Sequence, residues 1–157
     1  MVQYSHTRRV EFEFIDDDAT FHQELDAVPF LGGGTFTGKA LDFAYEEIIK
    51  DKTRPGVKVV MVVLTDGISF DNFATPTRMI KSQGIDIFAV GYGAASESQL
   101  NIIASDPDDE YMYIGTSMEE LLQFSSNLTS KLCSEEVVTR GKKRDLHILK
   151  NEIFNID

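Results

Sequence analysis

The chain has 157 residues, 42% hydrophobic and 26% charged, which is enough apolar material for one domain with a real core and too much for a disordered chain. Lys and Arg number 10 against 21 Asp and Glu in residues 1–133, and 5 against 5 in residues 134–157, so the whole net charge of −11 lies in the body. An acidic surface repels phosphate backbones and anionic headgroups, which speaks against nucleic acid and membrane surfaces as partners.

In chain order, residues 2–14 alternate: Val10, Phe12 and Phe14 fall on one side and Arg9, Glu11 and Glu13 on the other. That period predicts a hairpin of residues 2–4 with 10–14, one face buried and one wet. No basic segment followed by an apolar stretch opens the chain, so no signal peptide is visible in it. Asp18 is placed to cap a short helix over 19–27 that stops before Pro29. After a run of glycines, Leu41, Ala44, Tyr45, Ile48 and Ile49 recur at spacings of three and four, predicting an amphipathic helix over 37–50.

Residues 58–67, KVVMVVLTDG, form a continuous β-branched run that ends in a polar turn. A strand with no wet face belongs to a parallel sheet covered by helices on both sides. Its apolar stretch, residues 59–64, is far short of the ~20 residues that a membrane-spanning helix needs, so no membrane insertion is expected. A helix over 75–82 stopped by Gly84, a strand over 85–93, a helix over 96–104, an acidic loop (105–110) and a third strand, YMYIGT, follow. Ser117 caps a last helix whose stripe is Met118, Leu121, Leu122, Ser125, Leu128 and Leu132. This alternation predicts an α/β fold: a three-layer, doubly wound, Rossmann-like and mostly parallel sheet with one antiparallel hairpin strand at its edge. Residues 134–157 read as a tail, part-helical near 145–154, with a solvated basic cluster at 140–144.

The stretch GGGTFTGKAL (32–41) admits two readings. From Gly33 to Lys39 it approaches a phosphate loop, which would make the chain a nucleotide-binding α/β enzyme. That loop requires a strand leading in and a Ser or Thr after the lysine. Here the preceding FHQELDAVPFL is not a strand and Ala40 follows Lys39. The other reading is a metal crevice. Ligands of open α/β sheets collect beyond the carboxyl ends of the strands, where Asp66 stands, and the glycines turn Thr35 and Thr37 toward the same place. Carboxylate and hydroxyl oxygens completed by water suit Mg2+ or Mn2+. Alone, either threonine reads equally as a helix cap. No nucleophile elbow and no His-Glu-x-x-His is present, and His6, His22 and His147 are scattered, so no catalysis is expected.

The ordered segments VQYS, FEF, GGGTFTGKAL, VVMVVLTDG, IDIFAVGYG, YMYIGTSMEEL and a closing KLC resemble the von Willebrand factor type A domain, in the style of matrilins and type VI collagen. The resemblance covers residues 2–133, leaving 134–157 as the tail. It implies a non-catalytic, extracellular, protein-binding module whose ligands include matrix proteins such as collagens. In that family a metal-ion-dependent adhesion site draws on three loops: a D-x-S-x-S after the first strand, a threonine after glycine, and the aspartate of a D-G pair. The last two fall on Thr35, with Gly34 beside it, and on Asp66, with Gly67 beside it. The D-x-S-x-S is absent from this chain.

By the same resemblance the domain is N-terminally truncated, starting where the family's second strand starts, with a truncated product favoured over an excised fragment or completion by another segment. A gap is then expected between the strands at Val2 and Val59. Cys133 would have its disulfide partner outside the chain, and Asn127-Leu128-Thr129 is a glycosylation acceptor pattern.

Overall fold

The computed structural model describes residues 1–53, 58–132 and, as backbone, 144–150. Its strands are β1 (Val2–Tyr4), β2 (Arg8–Val10), β3 (Lys58–Thr65), β4 (Asp86–Tyr92), β5 (Met112–Gly115) and β6 (Arg144–Lys150). Its helices are α1 (Asp18–Asp26), α2 (Thr37–Ala44), α3 (Ala74–Ser82), α4 (Glu97–Ile103), α5 (Asp108–Tyr111) and α6 (Met118–Leu132). One six-stranded sheet runs in the order β2-β1-β6-β3-β4-β5, parallel throughout except for β2 at the edge. The expected doubly wound α/β layout with an antiparallel edge hairpin is what the chain adopts.

The two faces of the sheet read directly from the period of two in β3 and β4. Val59, Met61 and Val63, with Ile87 and Ala89, pack against Ala40, Leu41 and Ala44 of α2, Ile80 of α3, and Leu100 and Ile103 of α4. Val60, Val62, Phe88 and Val90 face the other way, onto Leu121 with Phe124 and Leu128 of α6. The chain thus moves from β1 across β3 and β4 to β5 with α2, α3 and α4 on one face. It then returns from β5 to β6 with α6 on the opposite face, as right-handed crossovers require when the direction of travel reverses.

Several local expectations shift. The hairpin partner of β1 is residues 8–10 rather than 10–14, with Val2 opposite Val10, although Glu11 N–H still reaches the Met1 carbonyl at 3.0 Å. The cap of α1 is Asp17, whose Oδ2 accepts from Thr20 N–H at 2.7 Å, and Asp18 lies inside the first turn. The helix expected over 37–50 changes character at Tyr45, where residues 45–49 form a π-helical turn closed by Lys50 N–H to the Tyr45 carbonyl at 2.9 Å. The wider turn brings Ile48 and Ile49, neighbours in sequence, both into the core.

The largest difference is β6. The expected part-helix near 145–154 is, over 144–150, a strand that occupies the anticipated gap. It pairs with β3 from Lys58 opposite Arg144 to Leu64 opposite Lys150, and with β1 at Val2 and Gln3.

Candidate functional site

The site forms where β1, β6 and β3 end together. Thr65, the last residue of β3, folds its hydroxyl over the next turn: Oγ1 donates to the Gly67 carbonyl at 3.2 Å and accepts from Gly67 N–H at 3.3 Å. Asp66 is thereby held at the apex, half-buried. Burial pushes its carboxyl pKa above the ordinary value, opposed by a hydrogen bond from its own backbone. No described lysine or arginine forms an ion pair with it.

The glycine loop comes to Asp66 from the other side. Gly32 and Gly33 adopt φ of 60° and 125°, conformations that suit residues without a Cβ. His6, leaving β1, accepts from Gly34 N–H through Nδ1 at 2.9 Å and packs its ring against Phe36, 5.2 Å between centroids. Thr35 is buried, its carbonyl accepting from Phe70 N–H at 2.9 Å. A Cβ on Gly67 would lie 2.7 Å from Thr35 Oγ1. Only a glycine there allows the Thr35 hydroxyl and the Asp66 turn to sit so close together.

Behind these two oxygens lies a bonded layer that the sequence did not announce. Asp71 accepts from Gly38 N–H through Oδ1 at 2.9 Å and from Lys39 N–H through Oδ2 at 2.8 Å. Ser69 Oγ accepts from Thr37 N–H at 3.1 Å and donates to Asp71 at 2.7 Å. Gln99 clamps the Ser69 backbone from α4, with bonds of 2.7 and 3.2 Å. Gly38 is a glycine because a Cβ there would strike the Asn72 carbonyl. The first turn of α2 therefore has its N–H groups satisfied by Ser69 and Asp71, the same groups a phosphate loop would offer to a nucleotide. Lys39 is exposed, its ammonium 5.0 Å from the centre of the Phe36 ring.

Tyr4 supports the floor. Fully buried on β1, its hydroxyl stands 3.5 Å from both Thr37 Oγ1 and the Leu64 carbonyl, which it bonds. Burial raises its pKa to about 12, with Asp66 and Asp71 adding repulsion to the phenolate. Around the mouth stand exposed apolar side chains, Phe70 at 74% and Ile68 at 50%, with Phe36 and Phe70 rings 6.4 Å apart.

A profile of the von Willebrand factor type A domain matches residues 1–127, most of the chain. The chain belongs to this family. It is 36% identical over 141 residues to the collagen alpha-1(XII) chain of Notophthalmus viridescens, covering 84% of this chain and 15% of that one. Matrilin-1 of Homo sapiens is 33% identical over 144 residues, covering 87% and 28%, and human vitrin 31% over 137 residues, covering 85% and 20%. The chain thus spans less than a third of the length of these relatives. Among solved structures it resembles proximal thread matrix protein 1 of the mussel byssus, described with a zinc-occupied MIDAS motif. The TM-score is 0.74 at 25% identity, over 84% of this chain and 34% of that one.

Thr35 carries a hydroxyl and Asp66 a carboxylate, both hard oxygen groups of the kind a small divalent cation takes. Among the described residues no three His, Cys, Asp or Glu side chains gather as a cage. Asp16, Asp17 and Asp18 lie at the start of α1, where Asp17 is engaged as a cap. Cys133 lies outside the described residues, as does the side chain of Asn127 on α6.

Proposed function

We propose that this type A domain is a non-catalytic, extracellular, protein-binding module whose ligand face is the carboxyl end of the sheet. Supporting that reading are the chain's matrix-type relatives, collagens, vitrin and matrilin-1. The observation that carries it is the meeting of the Thr35 hydroxyl with Gly67, next in sequence to Asp66, whose half-buried carboxylate has no ion pair among the described residues. A carboxylate so placed favours a bound cation, because the cation compensates the water lost on burial.

In this reading Thr35 and Asp66 hold Mg2+ or Mn2+, with Gly34 and Gly67 setting the approach of the two loops. The ion supplies a Lewis-acidic position for an acidic side chain of a protein ligand such as a collagen. Phe70 and Ile68 give that ligand an apolar rim to cover, the combination of polar centre and exposed hydrophobic surround that marks interaction sites.

Isothermal titration with Mg2+ and with Mn2+ tests the metal. Saturable binding by the wild type, lost in Asp66→Asn and weakened in Thr35→Val, is the expected result; no binding of either ion overturns it. Immobilised collagens test the ligand: retention should fall on chelation and in Phe70→Ser. Retention indifferent to both would move the binding face elsewhere.

A further inference from the structure

The backbone ladder of the sheet joins two groups of strands through one strand. β1 and β2 form one group and β3, β4 and β5 the other, and β6 joins them by pairing with β1 and β3. Removing β6 leaves two facing rows of unpaired backbone donors and acceptors, a strand's width apart, which is a template for any chain that can lie between them. The slot has a direction, parallel to both neighbours, and a length. Seven residues, 144–150, are in register with Lys58–Leu64, while two are in register with β1.

The occupant arrives from the far end of the chain. Eleven residues separate Leu132, the end of α6, from Arg144, a contour of up to roughly 36–40 Å. The face covered by α6 includes β3 itself, through Val60 and Val62, so the slot next to β3 lies only one or two strand spacings and one layer away, on the order of 15–20 Å. Eleven residues are therefore enough to reach the slot of the same chain. In the slot of a second molecule, the strand makes the same backbone pairs.

We propose that the position between β1 and β3 is a strand-acceptor site, filled by residues 144–150 of the same chain and exchangeable with the same seven residues of a second copy. The exchanged form is a closed, two-fold dimer in which each copy donates β6 to the other. Because the contacts are identical, the balance is set by concentration against the effective concentration of the tethered strand, on the order of millimolar. The dilute protein is a monomer, and refolding near that concentration yields dimer.

Three measurements on the full chain decide this. Amide exchange on the dilute protein should show residues 145–150 protected along with 59–64; free exchange at 145–150 overturns the proposal. The chain is then unfolded in urea and refolded across a range of concentrations up to about 1 mM, and its mass is read by light scattering after gel filtration. A dimer fraction that rises with refolding concentration is expected, and monomer at every concentration overturns it. Finally, the synthetic peptide Arg-Asp-Leu-His-Ile-Leu-Lys, added in excess during refolding, should suppress the dimer at least several-fold, while the reversed sequence should not. A dimer indifferent to the peptide is held by another surface and also overturns the proposal. Ile148→Pro, which deletes a ladder donor of β6, should abolish both the dimer and the protection.

Discussion

Tyr4 illustrates how a single residue ties the floor of the crevice to pH. Its phenol ionises near 10 in an unfolded chain and is pushed up to about 12 by burial here. Below pH 10 the group is neutral in both states and has no effect on the balance. Between 10 and 12 only the unfolded chain releases the proton, so unfolding is favoured as pH rises through that window, and the effect levels off above it. Two units correspond to roughly 3 kcal/mol at full expression. Urea unfolding of wild type and Tyr4→Phe, compared from about pH 9 to about pH 12, should show the wild type losing stability faster, the gap opening only above 10. Parallel curves would place the ionising phenol elsewhere.

At the scale of elements, α2 shows what a sequence does and does not disclose. Its amphipathic stripe and the glycines before it are visible as a pattern, and so are the apolar runs that become β3 and β4. Its cap is not. Phe36 occupies the capping position and makes no side-chain cap bond, while the carboxylate that serves comes from Asp71, more than thirty residues on and across a loop. A cap contributed through tertiary structure leaves no local spacing to read. The alternating Ser69-x-Asp71 after the Asp66-Gly67 turn was the available signal. β6 escaped for a related reason. A central parallel strand ordinarily reads as uninterrupted apolar sequence, and here Asp145 and His147 share register with Val59 and Met61, which breaks the run and mimics a wet tail. The places of Thr35 and Asp66 in the fold were legible because the one follows a glycine turn and the other the end of a strand. Asp71→Ala should remove both capping acceptors and cost about 2 kcal/mol. The urea midpoint should fall without a change in slope, and Asp71→Asn, which keeps one acceptor, should cost about half as much. A neutral Asp71→Ala would mean that α2 is capped by water.

For the whole molecule, the question is whether a sheet with two separately packed faces unfolds as one unit. Ile87 and Phe88 are consecutive on β4, the first fully buried toward α2, α3 and α4, the second 4% exposed toward α6. Neither layer can lose its floor without exposing the back of the other, since Val60 and Met61, like Ile87 and Phe88, are parts of the same two strands. Truncating either to alanine opens a cavity costing about 3–4 kcal/mol, within the range for large core side chains. Both layers carry reporters: with no tryptophan and five tyrosines, fluorescence sees Tyr4 and Tyr45 on the α2 cluster, Tyr92 and Tyr113 on the α6 cluster and Tyr111 against both, while far-ultraviolet circular dichroism sees all the helices. If the sheet couples the layers, Ile87→Ala and Phe88→Ala each lower one shared transition, and the fluorescence and dichroism curves superimpose in both variants. If Phe88→Ala instead releases α6 ahead of the rest, the two curves separate in that variant alone. The return crossover that carries the chain to β6 would then be the weakest part of the fold.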